Sequence, residues 1–372
     1  MKKTILLLLF TFIFCGLSVL SGSARTITVT DMSGREVKTP FDPERIICIG
    51  PGTLRLIVYL QAESKVVGVE DMEKMNPRGR PYWLTHPELS KLPRCGPGGP
   101  ASINKKPDLE AVISVKPQVI FITYMDASLA EEVEKTLRIP VVVLSYGRFA
   151  TFDETVYDAL GIAGRILDRQ QRAKDIVNYI ESQRKEMDSR TQSVPVKSRP
   201  KVYVGGIGYR GAHGLESTEQ DYAPLDWIGA INVAKQVPSS INSHVFMDKE
   251  ILLKLNPEYI FIDAGGLPLV KTDYLKKKGY YNSLQAFAQK QVYILHPFNF
   301  YTTNIGTALA DAWAMGKILY KDRFKDIDIK QKAHKIYTYL VGQPVYQEMR
   351  KDYGQLGKIV TFLNEFRSKS HE

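Results

Sequence analysis

Arginines and flat aromatic side chains recur in the sequence just past short apolar runs. In the first half these are Gly50-Pro51-Gly52 with Arg55, then Arg78, Arg80, Tyr82 and Trp83, then Tyr124, then Tyr146 with Arg148. In the second half they are Tyr209-Arg210 with His213, then Asp263, then His296, Asn299 and Tyr301. A guanidinium is a planar fork of donors that matches carboxylate or oxyanion oxygens. Tyrosine and tryptophan add flat apolar area with a polar tip, as an organic chelate or macrocycle requires. Any one of these residues is equally at home as a surface arginine or a packed aromatic. Their recurrence in both halves points to a ligand cleft built from strand-end loops.

His213, Asp263 and His296 follow apolar runs of the second half and are candidate metal ligands, since imidazole plus carboxylate suits several transition metals. Three scattered groups without a tight motif rank direct ligation below binding of a preformed complex. Gly206-Ile207-Gly208-Tyr209-Arg210-Gly211 spells a dinucleotide fingerprint after an apolar run. The third glycine should open a helix there. Ala212-His213-Gly214 and a polar stretch up to Pro224 follow instead, so the segment reads as a cleft loop. No nucleophile elbow, His-Glu-x-x-His pair or phosphate loop is present, and the chain reads as a non-enzyme without a cofactor of its own.

The elements that must position these residues alternate. Arg45 to Ile49, Lys65 to Val69, Val119 to Thr123 and Val141 to Leu144 read as strands, with helical patterns at Thr53 to Gln61, Leu109 to Val115 and Leu129 to Leu137. That order implies a parallel sheet with its loops gathered at the strands' C-terminal ends. Phe152 to Arg190 contains no proline and has helical periodicity; one unbroken helix there would be ~55 Å long at 1.5 Å per residue. Strand patterns restart at Lys201 to Val204, Tyr259 to Asp263 and Val292 to Leu295, and helices fill most of Gly306 to Arg367. The expected fold is α/β: two Rossmann-like lobes with parallel sheets, joined by one long backbone helix, with the ligand cleft between the lobes. Boundaries fall at 25–151 for the first lobe, 152–192 for the helix and 193–372 for the second lobe with its extra C-terminal helices.

Residues 1–24 have the form of a secretory signal peptide: Lys2 and Lys3, an apolar run from Ile5 to Leu20, then Gly22 and Ala24 at the positions a peptidase reads. Phe14 is too large for the position before a lipidated cysteine, so Cys15 argues for a free periplasmic protein over a lipoprotein. The formal charge of +10 is spread along the chain, with Lys276-Lys277-Lys278 the only tight run, unlike the clustered basic face of a nucleic-acid binder. Cys48 and Cys95 are candidates for a disulfide or for buried thiols.

Leu109 to Ile122 aligns without a gap on Lys249 to Ile262: a glutamate (Glu110, Glu250), an amphipathic helix, a proline seven residues on (Pro117, Pro257), and a strand ending Ile-Phe-Ile. This repeat, the opening Thr28 to Val37, Pro43 to Gly50, Lys65 to Val69 and Gly229-Ala230-Ile231-Asn232-Val233-Ala234 together resemble the helix-hinged (class III) periplasmic solute-binding proteins of ABC importers. The resemblance spans nearly all of the chain after residue 24. It implies capture of an iron(III) chelate, haem, a corrinoid or, in some branches, molybdate or tungstate, and delivery to a membrane permease and its ATPase by a monomer. It also implies that Glu110 and Glu250 lie on the outer surface, one per lobe, and dock into permease arginines. Either glutamate alone is also explained as a first-turn acid facing the helix dipole. The competing readings are an exported nicotinamide- or metal-dependent enzyme, motivated by the glycine loop, and a chelatase-like protein, which export disfavours.

Overall fold

The computed structural model describes residues 25–75, 78–149, 151–238 and 243–363. The signal-peptide segment with Cys15 lies outside these residues. A hairpin of β1 (Thr26–Thr30) and β2 (Glu36–Pro40) opens the chain. Four short strands follow, β3 (Ile46–Ile49), β4 (Val66–Gly68), β5 (Val119–Thr123) and β6 (Val141–Leu144), forming one parallel sheet in the order β4-β3-β5-β6. Every residue of β3, β5 and β6 is buried, as expected where helices cover both faces of a parallel sheet.

The second lobe contributes β7 (Lys201–Gly205), β8 (Ser217–Glu219), β9 (Ile231–Asn232), β10 (His244–Phe246), β11 (Tyr259–Asp263) and β12 (Val292–Leu295). Its parallel sheet runs β9-β7-β11-β12. In chain order this repeats the plan of the first lobe, with β7, β9, β11 and β12 standing where β3, β4, β5 and β6 stand. The aligned repeat feeds equivalent strands: helix Leu109–Ser114 enters β5 and helix Lys249–Leu255 enters β11. Asp108 caps the first by accepting from Ala111 N, and Asp248 caps the second by accepting from Glu250 N and Ile251 N. β8 and β10 stand apart as a small antiparallel ribbon.

The helical stretch between the lobes is divided. Thr155–Ile166 and Gln170–Thr191 are separate helices, broken at Asp168, whose φ of +52° is left-handed. The break lets the two pack on one another, and Gly164 makes room for Ala173 and the Arg169 carbonyl. An aspartate adopts this conformation more readily than most residues, so no glycine or proline marked the turn. Residues 78–100 carry short helical turns, at Pro81–Thr85 and Pro87–Lys91.

Helix Ile305–Leu319 is buried all round from Ile305 to Gly316, and is apolar there apart from Thr307 and Asp311. Helix Ile329–Val341 packs on it and on the first-lobe helices Thr53–Tyr59 and Pro81–Thr85. One buried cluster thereby runs from Ile46 and Leu56 of the first lobe to Trp313 and Leu340. Cys48 and Cys95 are buried free thiols, not a disulfide; burial pushes the Cys95 thiol up to about 12. No helix among the described residues is long and apolar enough to cross a membrane.

Candidate functional site

A cavity of about 510 Å³ lies between the lobes. The loop after β6 supplies Arg148, Phe149 and Thr151 from the first lobe. The second lobe supplies Tyr209 and Arg210 from the loop after β7, Glu219 and His244 from the β8–β10 ribbon, and Asn299, Tyr301 and Thr302 from the loop after β12. Of the residues expected in the cleft, the structure brings Arg148, Tyr209, Arg210, Asn299 and Tyr301 together around this cavity.

Arg148 reaches across the cleft to Asp221, 2.6 Å away, and lies 3.8 Å from Asp153. Its side chain remains 59% exposed, so it keeps access to a ligand. Opposite it, Tyr209 stacks on the His244 ring at 4.2 Å, and the Arg210 guanidinium sits 5.7 Å from the Tyr209 ring centre. The Ser217 hydroxyl donates to the Ile207 carbonyl, so His244 Nε2, 2.8 Å from Ser217 Oγ, must carry the imidazole proton and donate it. Burial depresses the His244 pKa to about 4 and leaves the ring neutral.

Several of the sequence candidates do other work. Arg55 is fully buried and donates to the carbonyls of Thr303, Phe300 and Tyr301 at 2.8, 2.9 and 3.1 Å. It clasps the second-lobe loop against the first lobe rather than facing the cavity. Arg80 is equally buried, 3.0 Å from the Glu73 carboxylate, to which the Tyr82 hydroxyl also donates at 2.8 Å. Trp83 is buried beside this pair. The Tyr146 hydroxyl donates to the Gly52 carbonyl, and a side chain at Gly52 would strike the Tyr146 ring at 2.6 Å. Pro51 is buried and Gly50 half-buried, its N–H donating to Glu70 at 3.0 Å. Arg78 lies on the surface, 3.7 Å from Asp352, and Tyr124 stands behind the cavity with its ring edge against Phe149. These are corrections to the expected lining, and they share a cause. A guanidinium flanked by rings satisfies buried carbonyls and carboxylates as well as it satisfies a ligand.

The metal triad also does not form. His213 Nε2 donates to the Tyr209 carbonyl at 2.7 Å, while His296 is fully buried and donates from Nε2 to the Gly354 carbonyl at 2.9 Å. Asp263 is buried and accepts from Gly265 N, and burial raises its pKa to about 7. Among the described residues no three His, Cys, Asp or Glu side chains are placed to hold a metal ion. The glycine segment forms a loop: the next helix is Ala223–Trp227, so no helix start faces a pyrophosphate.

Sequence reasoning missed Glu219, His244 and Glu70. Glu70 accepts from the Tyr301 hydroxyl at 2.7 Å, and burial raises its carboxyl to about 7. The loop it holds carries two consecutive left-handed residues, Tyr301 at φ +50° and Thr302 at +62°. A β-branched residue in that region is strained, which fits a loop held from both lobes. Glu110 and Glu250 are exposed in the first turns of their helices, one on each lobe.

The chain belongs to the periplasmic binding protein family, which matches residues 46–297. It is 26% identical over 348 residues to the molybdate-binding protein MolA of Haemophilus influenzae, covering 87% of this chain and 94% of MolA. Among solved structures it is similar in fold to MolA bound to molybdate, the cognate binding protein of an ABC transporter, with TM-score 0.66 and 20% identity over 86% of this chain and 98% of that one. A periplasmic solute-binding protein of Veillonella parvula gives TM-score 0.68 and 17% identity, over 88% and 97%. The petrobactin-binding protein YclQ of Bacillus subtilis gives 0.56 and 18%, over 81% and 99%. The lobed α/β architecture is therefore that of solute-binding proteins of ABC importers.

Proposed function

We propose that this protein captures a metal-bearing anion, an iron(III) chelate in the first reading, and delivers it as a monomer to a permease and its ATPase. The observation that carries this reading is the cavity: Arg148 and Arg210 come from opposite lobes and face a space walled by Phe149, Tyr209 and Tyr301. Its volume of about 510 Å³ falls within the roughly 300–1,000 Å³ typical of small-molecule sites, and far exceeds what a bare tetrahedral oxyanion fills. Two arginines supply charge for anionic oxygens and the rings supply flat contact for an organic shell.

A second reading, that the cargo is molybdate or tungstate, is favoured by the 26% identity with MolA. Thermal unfolding of the protein against ferric siderophores, haem, corrinoids, molybdate, tungstate and divalent metals separates the two. A specific ligand at a hundredfold excess over its Kd adds about 2.7 kcal/mol of stability. A shift with a chelate alone supports the first reading, a shift with molybdate or tungstate alone replaces it with the second, and no shift with either class refutes both.

The docking role of Glu110 and Glu250 belongs to the same proposal. Their matched places on equivalent helices of the two lobes support it.

A further inference from the structure

Glu219 is the acidic side chain of the cavity, and its surroundings do not suit a carboxylate. It is 4% exposed and ends β8, where its strand pairing sets it opposite His244. Asn299 donates to one carboxyl oxygen, Oε1, at 2.9 Å. The other, Oε2, is buried without a partner among the described residues. Among the described residues no ion pair is formed by Glu219. Asp221, two residues on, holds Arg148 for itself. His244, opposite, is neutral and commits Nε2 to Ser217. From the end of β11 comes Asp263, which is buried and repels a second negative charge, and Tyr222 packs nearby with no charge to offer. Arg210 lines the same cavity but its guanidinium lies over the Tyr209 ring.

An ionised carboxylate with one neutral hydrogen bond and acidic neighbours carries a large desolvation penalty that protonation removes. A protonated carboxyl has one O–H to donate, and Oε2 is the oxygen with no existing bond.

We propose that Glu219, which lines the cavity, is a neutral carboxylic acid whose carboxyl turns on binding to donate a hydrogen bond from the now-buried Oε2 to an anionic oxygen of the ligand, and so selects ligands that present an acceptor there. This rests on the anion reading above and adds a residue that sets specificity through its proton. Burial first, and then Asp263, raise the Glu219 pKa to about 8, against the lowering effect of Asn299. Anion capture is then linked to a proton. Loss of that proton above pH 8 removes the donor and places a negative charge against the ligand.

Two arms test this with Glu219→Gln, which keeps the Asn299 contact and an N–H donor, and with Glu219→Ala, which keeps neither. The first arm needs no ligand. Because the folded pKa lies above the unfolded value of 4.5, the folded state holds the extra proton between those limits, and stability falls as pH rises through that window. Ligand-free wild type should therefore lose unfolding midpoint relative to Glu219→Gln between pH 5 and pH 8 and run parallel to it above pH 9. Parallel behaviour throughout would overturn the neutral acid.

The second arm titrates sodium molybdate and a ferric tris-catecholate, both anions, into each protein. Wild-type affinity for the probe that binds should weaken about fivefold from pH 8 to pH 9, as a group with a pKa of about 8 loses its proton. Glu219→Gln should hold its affinity across that interval, and Glu219→Ala should be weaker at every pH. The same slope in Glu219→Gln as in wild type would overturn the ligand contact. Failure of both probes to bind wild type would count against the anion reading itself, and the ligand-free arm would still decide the protonation of Glu219.

Discussion

Arg55 with Arg80, and Arg148 with Arg210, are two arginine-and-aromatic regions that look alike in sequence and differ in every physical respect. Arg55 and Arg80 are fully buried, and their Nη donors bond to protein: three carbonyls for Arg55, Glu73 and nearby carbonyls for Arg80. Arg148 keeps more than half its side chain exposed and ends in an exposed ion pair at the cavity mouth. Residue type and spacing thus report a need for a planar cation beside rings. They do not report whether protein or ligand fills that need. Burial decides, and burial depends on partners hundreds of residues away, such as Thr303 for Arg55.

The difference can be sharpened by measuring stability and ligand affinity on the same variants. Arg80→Met leaves the Glu73 carboxylate buried and unpaired, and should cost about 3–5 kcal/mol in urea unfolding. Arg55→Met should cost about 1.5–3 kcal/mol by losing charge-assisted bonds to the 300–303 loop. Because Tyr301 and Thr302 line the cavity, it should also weaken binding. Arg148→Ala should change stability by less than about 1 kcal/mol, as exposed ion pairs do, yet weaken an anionic ligand about tenfold or more through a lost charged hydrogen bond. Glu110→Arg with Glu250→Arg should alter each helix by only about 0.3–1 kcal/mol through the dipole and leave affinity unchanged, while abolishing uptake in a transport assay. Uptake that survives this double reversal would refute the docking role.

Much of the fold was legible in the chain. Val119–Thr123, Tyr259–Asp263 and Val292–Leu295 are apolar runs long enough to mark strands, and the Glu-helix-Pro-strand repeat shows that the halves share a plan. The division at Asp168 was not, because a single left-handed aspartate leaves helical periodicity intact on either side. The site was half legible. Tyr209, Arg210 and Asn299 stand just past strand ends, where a parallel sheet gathers its loops. Glu219 and His244 lie on a ribbon of three-residue strands, too short for any period, which pair across more than twenty residues. Only the pairing places an acid and an imidazole at the cavity floor. The polar Ser217-Thr218-Glu219 and the β-prone Val245-Phe246 were the available signals, and neither identifies its partner.

The proposed ligand site is the interlobe cavity. Isothermal titration of whichever chelate or oxyanion raises the unfolding midpoint tests it most directly, run on wild type and on Arg148→Ala with Arg210→Ala. A ligand held in the cavity should bind one per wild-type chain and lose at least a hundredfold in affinity in the double variant, roughly 1.4 kcal/mol for each factor of ten, with an unfolding midpoint close to wild type in the absence of ligand. Undiminished binding to the double variant would place the ligand outside the cavity.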